Sequence, residues 1–176
     1  ASDVYKRQPT FRCLGLVAVV CICLLTFGIV YLQNELGLVP CPMCIAQRYA
    51  LLGVIILCAL GLSPGSPLRT LIMSWLVFLS SCFGAFVAAR QTWLQWYPPQ
   101  EVSCGRDFYG MVENLPLQRL VPTIFKGGGD CTKVDWTFLG GSIANWSFFI
   151  FLAIAALMLV LRWRDGFFKT KAPFFS

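Results

Sequence analysis

Four long stretches of this chain carry almost no charge: 13–32, 49–62, 71–89 and 138–161. The hydrocarbon core of a bilayer is about 30 Å thick and needs about 20 apolar residues to cross as a helix. The second stretch reaches that length only if it begins near Cys44 and takes Arg48 with it, and the core of the fourth begins near Asn145. In lipid every backbone polar group must be satisfied within the protein, so only helices and closed barrels span. Barrel strands alternate polar and apolar residues, and these stretches do not. The expected fold class is an all-α integral membrane protein, a four-transmembrane-helix bundle, with helices near 12–33, 43–62, 70–90 and 144–162.

Composition agrees. The chain has 176 residues, 57% apolar and 12% charged, where a soluble domain carries about 25% charged residues. Four spans leave no room for a separate soluble domain, so 1–176 reads as a single membrane domain with outer loops near 34–42 and 91–143. The first apolar run is too long for a signal-peptide core, and no small-x-small cleavage site follows it in TFGIVYLQNE. The first eight residues, ASDVYKRQ, are polar and read as a cytosolic tail or a non-native extension.

Basic residues orient the bundle. Lys6, Arg7, Arg12, Arg69, Arg162, Arg164, Lys169 and Lys171 lie on one side, opposed there only by Asp3 and Asp165, which accounts for the net charge of +6. The other side has Glu35 and a loop whose bases and acids cancel, and Arg48 within the membrane offsets Glu35. Positive charge stays inside. Both termini are therefore expected in the cytoplasm, with the cysteine-bearing loops periplasmic. The same rule explains the basic balance without nucleic acid; the partner implied is a lipid bilayer.

Topology sorts the nine cysteines. Cys13, Cys21, Cys23, Cys58 and Cys82 fall inside apolar runs and read as small buried hydrophobes. Cys41, Cys44, Cys104 and Cys131 fall on the outer side, where an oxidising compartment preserves disulfides. Three pairings are open to four cysteines; Cys41 with Cys44 and Cys104 with Cys131 is the simplest. In CPMC, Cys41 reads as a helix cap facing the aqueous side and Pro42 as the first helical residue. Cys44 then sits in the first turn, where the helix dipole favours a thiolate. Arg48, at i+4 from Cys44, shares its face. A cation at membrane depth is costly and implies function, although a residue this near the helix start can also snorkel to the headgroups. As a fixed charge beside a thiolate it suits a lipid-soluble acceptor such as a quinone. The CPMC motif alone also serves as a static staple or half a metal site.

Cys104 and Cys131 lie 27 residues apart, and Gly127 to Gly129 directly precede Cys131. Mobile flanks suit a cysteine that meets two partners in turn, although a static bridge stays open. Between them, Leu117, Leu120, Val121 and Ile124 recur at helical spacing after a capping Asn114. That predicts a short amphipathic interfacial helix on the membrane surface. Trp93, Trp96 and Tyr97 read as an interfacial aromatic belt.

In CPMCIAQR at the second helix, LQWYPP before Cys104, LPLQRLVPTIF, and GDC at Cys131, the chain resembles the DsbB family of bacterial inner-membrane thiol:quinone oxidoreductases. The likeness runs nearly the whole length from about Cys13. It implies that a periplasmic DsbA-like thiol oxidase gives its electrons to Cys104–Cys131, that Cys41–Cys44 receives them, and that Cys44 passes them to the membrane quinone pool, as ubiquinone or menaquinone. Arg48 and Gln91 are the implied quinone-side residues. Two positions depart from the pattern. Gln91 stands where many members carry a histidine, and this chain has none. Gln47 stands where some members carry an acid. Two rival readings are a membrane protein holding zinc on its four outer cysteines and a helix bundle with two static disulfides.

Overall fold

The computed structural model describes residues 2–63, 66–97 and 132–170. Cys104, Cys131 and the surface helix expected over 114–124 lie outside them. Helix α1 (Ser2–Thr26) runs without interruption into a π-helix (Phe27–Glu35). Then follow α2 (Pro42–Leu62), α3 (Pro67–Trp96), strands β1 (Thr137–Phe138) and β2 (Gly141–Ser142), and α4 (Ile143–Thr170). Among the described residues, four helices are long and apolar enough to cross a membrane: Thr10–Glu35, Pro42–Leu62, Leu68–Trp96 and Ile143–Arg164.

Two helices start by the same device. Cys41 and Ser66 are extended, and each side chain accepts the N–H three residues on, Cys44 and Arg69 respectively, at 3.3 Å. A proline follows each cap at the first helical position, where its missing N–H costs nothing. Between α2 and α3, Ser63 N–H bonds Ala59 O at 3.1 Å and the Arg69 guanidinium donates to Ser63 O.

The first span changes pitch midway. The Thr26 hydroxyl donates back to Ile22 O at 2.8 Å, a bond that bends helices. Directly after it the ladder widens, so that Leu36 N–H reaches Tyr31 O, five residues back, at 3.1 Å. A π-helix of nine residues is unusual, because such helices mostly occur as single turns. The span ends at Glu35, and two residues on the chain turns at Gly37, whose φ of +64° belongs to the left-handed region.

Helix α3 packs along both α2 and α4, and α1 along α2. At the end carrying the termini all four helices meet. Leu14, Val17 and Cys21 of α1 join Val54 and Cys58 of α2, Val77 of α3, and Ile154, Met158 and Leu161 of α4 in one buried core. Nearer the middle, Ala50 and Ala85 pack on Phe151. Gly84 makes room for that ring: a Cβ there would lie 2.5 Å from it. Toward the opposite end the bundle opens into a cavity.

The hairpin was not expected from the sequence, which reads 91–143 as loop. Its two-residue turn, Leu139–Gly140, has φ of 50° and 78°, the positive values that a tight hairpin turn requires. Phe138 pairs with Gly141, and the Trp146 indole donates to Phe138 O at 2.9 Å. Rings continue from there in a row: Trp146 with Phe138, Phe138 with Trp136, Trp136 with Phe27, and Phe27 with Tyr31, at centroid distances of 5.1–6.1 Å. The row runs from α4 over the hairpin to the π-helix. Helix α3 is also longer than the apolar run, reaching Trp96 rather than ending near 90.

Candidate functional site

The cavity has a volume of about 620 Å³, within the range of small-molecule sites. Leu24 and Leu25 of α1, Phe27 and Tyr31 of the π-helix, and Ile150 and Phe151 of α4 give it an apolar wall. Cys41, the cap of α2, and Cys44, Gln47 and Arg48 of α2 also line it, with Gln91 and Gln95 of α3.

The cap geometry brings the two sulfurs together. Because Cys41 ends the loop and Cys44 completes the first turn, their Sγ atoms lie 3.0 Å apart. Gln91 approaches from α3. Its Nε2 stands 3.4 Å from Cys41 Sγ and 3.3 Å from Cys44 Sγ, and its Oε1 accepts Gln47 Nε2 at 2.8 Å. The Cys44 thiol lies 3.7 Å from that same oxygen. Both glutamines are buried. The expectation that Cys41 faces water is corrected: Cys41 is 5% exposed, and Cys44 is the more open of the two. Gln91 of α3 packs against the Cys41 sulfur.

Arg48 lies one turn below Cys44. Its guanidinium crosses to the π-helix, donating to Gln33 Oε1 at 2.8 Å and Gly28 O at 3.4 Å. The wide π turn thus presents a side-chain amide and a carbonyl to the guanidinium, which keeps the charge at the cavity wall.

The structure therefore brings Cys41, Cys44, Arg48 and Gln91 to one cavity; Cys104 and Cys131 lie outside the described residues. Sequence reading missed Gln33 and Gln95. Gln95 receives the Ser142 hydroxyl at 2.7 Å and donates to Lys133 O at 3.4 Å, and Ser142 Oγ accepts Asn145 N–H at 3.4 Å as the cap of α4. The spacing of Gln91 and Gln95, one helical turn apart, was the available signal. Trp93, Trp96 and Tyr97 are exposed and do not line the cavity, as a belt requires.

A multi-pass membrane protein with a dithiol at a helix start, open to a cavity beside a half-buried cation, belongs among membrane thiol oxidoreductases. Comparison with known proteins narrows the class. The family model described as disulfide bond formation protein DsbB matches residues 10–161. Disulfide bond formation protein B of Acidovorax sp. (strain JS42) is 57% identical over 155 residues, 88% of each chain. That of Polaromonas sp. (strain JS666 / ATCC BAA-500) is 60% identical over 152 residues, 85% of this chain and 89% of its own. The chain belongs to the DsbB family. It is a multi-pass inner-membrane protein and a disulfide-generating oxidoreductase.

Proposed function

We propose that this chain reoxidises a periplasmic DsbA-like thiol oxidase and delivers the electrons to a membrane quinone. In this reading Cys104 and Cys131 form the outer exchange pair, Cys41 and Cys44 the inner one, and both termini are cytoplasmic. The observation that carries it is the placement of two sulfurs 3.0 Å apart on the wall of a cavity shared with Arg48.

Exchange proceeds by thiolate attack on a disulfide sulfur through a mixed disulfide. The partner's thiolate attacks the outer disulfide, and its second thiol closes the partner's own disulfide. The outer pair is left as a dithiol. One of its thiolates then attacks Cys41, the Cys41–Cys44 bond breaks, and the electron pair stays on Cys44. Closure of the outer disulfide finally leaves both inner cysteines reduced. Two electrons have moved, and no metal is needed.

The cavity fits a quinone. Its volume holds a ring and the first part of a tail, its walls are apolar, and Arg48 offers N–H donors. A bound quinone supplies acceptance of two electrons and two protons. Arg48 would hold its oxygen, Cys44 would face its ring, and Leu24, Leu25, Ile150 and Phe151 would exclude water. Ubiquinone and menaquinone both satisfy these demands.

The test is quinol formation in membranes given reduced thiol oxidase. Cys44→Ser abolishes it. Cys104→Ser blocks partner oxidation while a small dithiol still feeds the inner pair. Undiminished quinone reduction in Cys44→Ser would sink the relay.

A further inference from the structure

The side chain that donates to both inner sulfurs is Gln91, and its carboxamide oxygen is engaged by Gln47. We propose that Gln91 is a catalytic residue whose carboxamide N–H groups hold the inner sulfurs and stabilise the thiolate released at Cys44. Gln47 is a positioning residue that fixes which end of that carboxamide faces sulfur. The role rests on the relay above and deepens it.

A carboxamide has a donor end and an acceptor end, and only the donor end helps a thiolate. Gln91 Oε1 is engaged by Gln47 Nε2 at 2.8 Å, which leaves Nε2 turned to Cys41 at 3.4 Å and Cys44 at 3.3 Å. Turned over, Gln91 would set its oxygen against the sulfur lone pairs and two N–H donors against one another. Gln91 is 3% exposed and Gln47 5%, so water does not compensate for a wrong orientation, and a buried unpaired polar group is costly.

The moment of need is the exchange step. When an outer thiolate bonds to Cys41, the Cys41–Cys44 bond breaks and the negative charge moves to Cys44; no proton has to travel. The Gln91 N–H already stands at that sulfur, and a preorganised donor stabilises developing charge without reorganisation. Arg48 is turned the other way, onto Gln33 and Gly28. The two groups act differently: Gln91 donates N–H directly to the sulfurs, while the charge of Arg48 acts on them across space. Because an amide carries no charge, this donor is present at every pH.

The test uses the full chain with Cys104 and Cys131 changed to serine, reduced and free of quinone. Alkylation of Cys44 by iodoacetamide is followed by tandem mass spectrometry at pH 7 and pH 10. Gln91→Leu slows it about tenfold at pH 7, the scale of one hydrogen bond to a charged atom. The rates converge at pH 10, where thiols ionise unaided. Gln91→Met, closer in shape, gives the same result and guards against a folding defect. Gln47→Leu slows it less, and the double variant is no slower than Gln91→Leu, as coupled residues require. Tyr31, Arg48, Lys133 and Asp135, the other ionisable groups on the cavity wall besides the cysteines, stay unchanged throughout. Unaltered rates at pH 7, a deficit that persists at pH 10, or additive losses would each overturn the proposal. Neither quinone nor partner enters the assay, so failure of the relay in Cys44→Ser membranes is read separately.

Discussion

Arg48 carries the strongest single-residue argument. Its guanidinium spans from α2 to the π-helix through Gln33 and Gly28, so it is held by a planar fork of donors that lysine cannot reproduce. Arg48→Ala is expected to raise the quinone KM by about tenfold, the scale of a lost charge-assisted hydrogen bond, while Cys41 and Cys44 still form their disulfide. Arg48→Lys recovers little of the loss. Steady-state quinone titration with an alkylation readout of the inner pair checks both halves, and an unchanged KM counts against the role. Arg48 and the CPMC thiols were legible in the sequence because a cation at membrane depth is costly and because two cysteines around a proline mark a helix start. Gln33 was not, since an uncharged polar residue near a span end has many innocent uses. Its meaning comes from the π turn that faces it toward α2, and the residues FGIVYLQNE contain no signature of that pitch.

Elements explain why Gln91 and Gln95 reach the site. The sequence predicts the third helix to end near 90, where RQTWLQW turns polar and aromatic. The helix runs on to Trp96, because interfacial aromatics on one face allow amides on the other to face the bundle. Gln91 takes the sulfurs, and Gln95 ties Ser142 and the Lys133 carbonyl to α3. Gln95→Ala is expected to loosen the hairpin alone. Amide hydrogen exchange over 137–142 should rise while α2 keeps its protection, and unchanged exchange would show that the ring row suffices. Gly84 is the other contact between elements that decides something. A methyl group 2.5 Å from the Phe151 ring is overpacking, worth about 1–3 kcal/mol, more than the gain of about 1 kcal/mol in helix propensity from alanine. Gly84→Ala should lower Tm in detergent and, by pressing Phe151 into the cavity, reduce the further stabilisation given by added quinone. A variant as stable and as responsive as the parent would mean that the ring has another place to go.

At the scale of the molecule, a tight end and an open end divide the labour. The four helices share one core where the termini lie, and this anchors a cavity at the other end without closing it. The four spans were legible because lipid leaves a backbone no other way to satisfy its hydrogen bonds. The cavity was not, because its volume depends on how the helices splay, and hydropathy is blind to that. Orientation follows from charge. The sequence sets eight bases against two acids in the segments before the first span, between the second and third, and after the fourth, and by the positive-inside rule we propose that these segments stay cytoplasmic. Alkaline phosphatase, active only where its disulfides form, should therefore be inactive when fused after residue 164. Fused within 34–40, it should be active. The reverse pattern would place the dithiol in a reducing compartment and remove the driving force for the whole relay. Changing Lys6, Arg7 and Arg12 to alanine should weaken the bias at its first helix and yield a mixed population, visible as partial activity of the fusion after residue 164.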